Sequence, residues 1–208
     1  DSAVEREVRG ALGTGTLTQT PSTSPGSNTA PNGLRPGDPV GMALIRGDLE
    51  MGATGTVTSV DGGRVYAFGH PFLNLGPTSL AMTRAHVFTV VPSLDSSLKI
   101  ASLGPVIGTM TQDRATAVGG VLGAGPAELT INLTLASWRA PDRKLQFKVL
   151  HDQALTPLFA YVGLLNAITS YERQTGALTI ATSGQVSFGD ATVTIDDMFS
   201  GGGPAGAA

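Results

Sequence analysis

Glycine and proline interrupt this chain so often that it reads as β-rich and dense in turns. Of its 208 residues, 28 are Gly and 13 are Pro, about a fifth of the chain against about 12% in average usage. No Gly-X-Y period is present, so a collagen helix is excluded. The intervening runs are short and rich in Val, Ile and Thr, which favour pleated backbone. Thr54, Thr56 and Thr58 alternate with Gly55, Val57 and Ser59, Asp61-Gly62-Gly63 makes a tight turn, and Arg64–Phe68 returns. Period-2 runs about such a turn are a hairpin signature. Met42–Ile45 is a further short apolar run. More strands are expected at 86–91, 106–111, 116–122, 128–137, 144–150, 177–182 and 191–195. Only 156–171 departs from the pattern. There Leu158, Phe159, Val162, Leu165 and Ile168 fall at helical spacing, with Thr156 as N-cap and Pro157 as first helical residue. The expected fold class is all-β, with one amphipathic helix and a barrel or sandwich of short strands.

Composition narrows the function classes. Charged residues make up 14% and hydrophobic residues 41%, so the chain can bury a core and is no highly charged disordered polymer. The net charge of −3 is dispersed, which leaves no basic footprint for nucleic acid. No apolar run reaches the length of a membrane span. With no cysteine, thiol catalysis, disulfides and Cys-ligated zinc are excluded, and an extracytoplasmic location (periplasmic, cell-surface or secreted) fits. Residues 1–33 read as an N-terminal segment followed by a Pro/Ser/Thr/Gly-rich linker, 34–200 as one β domain, and 201–208 as a flexible Gly-rich tail.

Few residues are equipped for chemistry. The three histidines, His70, His86 and His151, match no metal-ligand spacing, so no metal or other cofactor is expected. His86 lies in an apolar strand and reads as a core or edge residue. His70 differs: it sits in Ala67-Phe68-Gly69-His70-Pro71-Phe72, at a strand end stiffened by Pro71. A general base needs such a platform, and a turn histidine is the plainer alternative. Two carboxylates stand out as partners. Asp113 lies beside Arg114, and the plainer alternative is a turn with a local ion pair. Asp152 lies at a strand-to-helix junction, suited to a catalytic acid or to simple capping. No Gly-x-Ser-x-Gly elbow occurs, and Ser93, Ser96, Ser97 and Ser183 read as surface or turn serines.

The segment Gly37-Asp38-Pro39-Val40-Gly41, then Arg46–Thr58, then Ala67–Phe72, resembles the SpoIVB (stage IV sporulation protein B) serine peptidase family. The likeness continues through Gly108-Thr109, Gln112-Asp113-Arg114, Gly119–Gly123 and Gly125–Glu128. It covers roughly 34–135 well and 144–175 more loosely. The resemblance implies a trypsin-like β-barrel peptidase with a Ser-His-Asp triad. His70 falls on the family's Gly-His motif as general base, and Asp152 falls near the family's acid, with Asp113 the other candidate. The family's nucleophile turn, Gly-x-Ser-Gly-Ser-Pro, is absent from this chain. Some members carry that turn well before the Gly-His-Pro-Phe segment, and this chain looks like one that begins after it. It is then a processed piece, a partial sequence, or a degenerate member kept for binding.

Two functions follow. In the first, the chain supplies the His and Asp of a serine endopeptidase acting on protein or peptide substrates. The Ser comes from another segment of the same precursor, so the chain alone is inactive. In the second, it is a non-catalytic β-rich structural or protein-binding subunit that self-assembles as a homo-oligomer, in keeping with its charge-poor composition.

Overall fold

The computed structural model describes residues 33–94, 97–172 and 176–202. The expected N-terminal segment and linker, save Gly33, and most of the Gly-rich tail lie outside the described residues.

The chain is mostly β, with one helix. In order come β1 (Pro39–Gly47), β2 (Met51–Asp61), β3 (Arg64–Ala67), β4 (Gly76–Val91), β5 (Leu98–Arg114), β6 (Ala117–Leu122), β7 (Glu128–Ser137), β8 (Ala140–Leu150), α1 (Leu155–Tyr171), β9 (Leu178–Phe188) and β10 (Ala191–Gly201). Two compact units result. One comprises the residues up to Leu133 with Leu145–Phe159, the other Thr134–Lys144 with the residues from Ala160 onward.

In the first unit six antiparallel strands close on themselves. The neighbour order is β2-β3-β6-β5-β4-β1, and β1 also pairs with β2, which completes a ring. The sheet continues from β1 into β8 and β7. The period-2 pattern explains the two sides of the ring. Val65 and Ala67 are fully buried while their neighbours Arg64 and Tyr66 are exposed. The core gathers Val40, Met42, Val57, Leu80, Met82, Met110, Val118 and Phe147. The β2–β3 turn is as expected: Gly62 and Gly63 both have positive φ, 51° and 84°, as a two-residue primed turn demands.

Several strands exceed their expected length. β4 and β5 span 16 and 17 residues, where six-residue strands are expected. Their pairing contains several register shifts, and such bulges let a ladder run on past positions that would otherwise end it. Gly76-Pro77 and Gly104-Pro105 lie within these strands, close to such shifts.

The helix begins a little earlier than expected. Asp152, not Thr156, caps it: Asp152 Oδ1 accepts the N–H groups of Ala154 and Leu155, both at 2.9 Å. Thr156 Oγ1 instead accepts the Asp152 N–H at 2.7 Å and donates to the Leu150 carbonyl at 2.8 Å. Its buried stripe is Leu155, Phe159, Gly163 and Ala167, spaced by four. Of the five residues expected on the apolar face, only Phe159 is in that stripe.

In the second unit β9 and β10 form a two-stranded antiparallel sheet. The Arg143 guanidinium lies 4.4 Å from the centre of the Tyr171 ring. No described helix is long and apolar enough to cross a membrane.

Candidate functional site

β3 delivers the histidine. After Ala67 the chain passes through two successive left-handed residues, Phe68 at φ 74° and Gly69 at φ 76°. Such a conformation is ordinary for glycine but costs a phenylalanine on the order of 1 kcal/mol or more, so its surroundings must hold it. They do so in two ways. The Phe68 N–H donates to the Thr56 carbonyl at 3.0 Å. The Phe68 ring lies over Gly55, where a Cβ would stand 2.1 Å from Phe68 Cδ1. Glycine at 55 is the seat of that ring.

His70 follows, exposed to solvent. Its ring lies 5.8 Å from that of Phe68, and the Phe72 ring meets Phe68 edge-on at 6.4 Å. Nδ1 of His70 is 2.7 Å from the Pro71 carbonyl oxygen. A carbonyl only accepts, so this contact puts the proton on Nδ1. Nε2 of the neutral ring is then left with its lone pair.

The loop that carries His70 is held from beneath by Asp113. This carboxylate is fully buried. Oδ1 accepts the Phe72 N–H at 2.7 Å, and Oδ2 accepts those of Leu73 at 2.7 Å and Leu75 at 3.1 Å. A local Asp113–Arg114 ion pair is not what forms. Arg114 Nε donates to Gln112 Oε1 at 2.7 Å, while Asp113 turns to the opposite face. Sequence reasoning gave Asp113 no structural role of this kind. The available signal was a lone carboxylate closing an uncharged run from Ile100 to Gln112.

Asp152 is exposed and occupied in capping α1. Among the described residues no hydrogen bond or ion pair joins His70 to Asp152 or to Asp113, and the group that orients the imidazole is the Pro71 carbonyl. His86 is half-buried, its ring edge-on to Phe88 at 4.9 Å. His151 is exposed. Ser183 lies in β9 opposite Asp196, and Ser96 lies outside the described residues. No group of three metal-ligating side chains occurs among the described residues.

Three further charged side chains received no role from the sequence. Arg46 and Glu128 form a two-pronged ion pair, with Nε to Oε1 at 2.6 Å and a second contact from Nη2 to Oε2. That hydrogen bonding holds the guanidinium above its ordinary range. Glu50 is half-buried and accepts the Leu103 N–H at 2.9 Å. Burial raises its carboxyl above the ordinary 4.5, against the opposing effect of that hydrogen bond. Compared with family models, curated proteins and solved structures, the chain matches none.

Proposed function

We propose that the chain supplies the general base of a serine-endopeptidase-type site, with His70 in that role and the nucleophile contributed by a Ser-bearing segment outside these residues. The observation that carries this is the Nδ1 contact of His70 with the Pro71 carbonyl, on a loop anchored by Asp113. It leaves Nε2 able to take the proton of a serine hydroxyl as the oxygen attacks a peptide carbonyl. The same nitrogen then returns the proton to the leaving amine. Backbone carbonyl orientation of a catalytic imidazole is physically sufficient to fix the tautomer. Asp152 caps α1 through Oδ1 alone and makes no hydrogen bond to His70 among the described residues. The trypsin-like barrel belongs to this reading and rests on the resemblance to SpoIVB peptidases; the mostly-β chain is compatible with it. An extracytoplasmic site of action goes with it.

The test has two arms. The purified chain is expected neither to hydrolyse casein nor to be labelled by a fluorophosphonate. A long-range 1H–15N spectrum of His70 is expected to show the Nδ1-protonated tautomer. Serine labelling of this chain that disappears in His70→Ala would refute the divided site, and an Nε2-protonated ring would refute the base.

A second reading, a self-assembling β-rich binding subunit, is favoured by one observation. Near the β4–β5 turn, Phe88, Val90, Val91, Leu94, Leu98 and Ile100 are all about half-exposed or more. Val91 pairs with Leu98 in this ribbon, and a cluster of exposed apolar side chains is the kind of surface that interaction sites use. Light scattering decides it: a concentration-dependent oligomer dispersed by Val90→Asp and Ile100→Asp supports this reading, and a monomer at high concentration removes it.

A further inference from the structure

The outward face of β3, β6 and β5 forms a trough, apart from the His70 loop and independent of the peptidase reading. Its floor is β6. Ala117 and Val121 point outward at its two ends, Val118 and Gly120 face the core, and Gly119, on the outward face between them, is buried beneath its neighbours' side chains. Register sets the walls. Tyr66 of β3 and Gln112 of β5 both pair with Gly119, Arg64 pairs with Val121, and Arg114 pairs with Ala117. Position 119 has no side chain, so the half-exposed Tyr66 ring and the Gln112 stem settle over its backbone and bury it. A Cβ placed there would lie 3.7 Å from the ring and 3.8 Å from Gln112 Cβ. The trough is shallow and open along one side, with about 390 Å³ of room.

Its electrostatics are one-sided. Arg64 and Arg114 stand at diagonal ends, and no carboxylate lines the trough. Among the described residues neither arginine has an acidic partner. Arg114 is steadied by its Nε bond to Gln112, which leaves its terminal N–H groups for another acceptor. The floor offers no main-chain donors, because β6 is hydrogen-bonded to β3 on one side and β5 on the other. Phosphate sites usually draw on free backbone N–H groups, so the trough does not suit a bare inorganic anion. A channel along a strand, with an aromatic wall, an amide wall and two guanidinium forks, suits an extended peptide with carboxylate side chains.

We propose that this trough docks an extended acidic peptide segment of a partner protein, running along β6 with one carboxylate on Arg64 and another on Arg114. The strand positions facing the two arginines, Val121 and Ala117, lie about 13 Å apart at ~3.3 Å per residue. Two acidic residues four positions apart in an extended peptide match that span and share one face.

The experiment is fluorescence polarisation with labelled, capped nine-residue peptides of Val and Thr. One carries two Glu four positions apart, a second carries Gln at those positions, and a third carries the two Glu three apart. The first is expected to bind at least about tenfold tighter than the second and severalfold tighter than the third, and to weaken as salt rises. Arg64→Gln and Arg114→Gln should each cost about three- to tenfold. Both residues are exposed, so thermal midpoints should hold and show that the variants fold. Amide shifts should centre on 117–121. Equal binding of the Glu and Gln peptides, or shifts centred elsewhere, overturns the proposal. Displacement by equimolar inorganic phosphate makes the trough a plain anion site and overturns it too. A dimer without peptide that the arginine variants disperse makes the face a contact between copies, which overturns it equally.

Discussion

Removing the Asp113 carboxylate should loosen the His70 loop before it unfolds the protein. In Asp113→Ala three N–H groups, those of Phe72, Leu73 and Leu75, lose their acceptor at once. A donor left unpaired away from water costs about 1–3 kcal/mol. These donors are only partly buried, so water can reach some of them, and the lower end applies to each. The expected loss is about 3–5 kcal/mol, against a total stability of about 5–15 kcal/mol for a typical domain. Asp113→Asn keeps one oxygen, which can still serve Leu73 and Leu75 while its NH₂ faces the Phe72 N–H. It should cost about 2 kcal/mol, one lost bond with a donor–donor contact added. Urea unfolding followed by circular dichroism gives these differences at constant slope. Amide exchange gives their location: Phe72, Leu73 and Leu75 should speed up well beyond the core amides of β1. The His70 tautomer signal should broaden or shift, because the Pro71 carbonyl moves with the loop. A stability loss under about 0.5 kcal/mol in Asp113→Ala would refute the anchoring argument. So would a larger loss spread evenly over all amides with His70 unchanged.

Gly55→Ala puts a methyl group 2.1 Å from Phe68 Cδ1, so the ring must move. We expect a loss of about 1–3 kcal/mol and shifted His70 resonances, read by the same urea series and by NMR. Thr83 is fully buried, and among the described residues its hydroxyl has no partner. Thr83→Val, close to isosteric, should therefore raise the unfolding free energy by about 1 kcal/mol, and a loss of similar size would show that the hydroxyl is satisfied after all. Glu50 gives a pH dependence. Its folded-state value lies above the ordinary 4.5, so the folded state keeps a proton the unfolded chain releases. Its contribution is full below pH 4.5 and is lost as pH rises through the raised value. Glu50→Gln, which retains an acceptor for Leu103, should remove that decline, and stability curves of the two proteins that run parallel across the window would contradict it.

What the sequence disclosed and what it hid divide along local and non-local lines. The β2–β3 hairpin was legible because its signal is complete within fifteen residues, from Thr54 to Phe68: alternation, two turn glycines, alternation again. The helix was legible by its period; of its two offered caps, Thr156 and the plainer reading of Asp152, it is Asp152 that serves, with two donors on one oxygen. Asp113 was hidden by a bulge. Met110 faces inward opposite Gly120, and strict alternation would turn residue 113 outward. The register shift between Met110 and Gln112 inserts one residue and turns Asp113 inward instead. The Arg46–Glu128 pair was hidden by distance, as its members lie 82 positions apart. His70 itself was marked by its Gly and Pro neighbours. The acceptor for its Nδ1 was not, because a main-chain carbonyl leaves no trace in a sequence.

The six-strand ring is shut at β1, which pairs with β2, β4 and β8. The first of these contacts is a neighbouring hairpin. The last joins Ile45 to Val149, across roughly half the chain. Loop closure of that kind must be met before its contacts return any stability, and chains dominated by such pairings fold in milliseconds to seconds rather than microseconds. Until β4 and β8 arrive, the apolar run Met42–Ile45, fully buried at the end, has only β2 to cover it. The strand that later seals the core is thus the one most in need of shielding while the protein is being made.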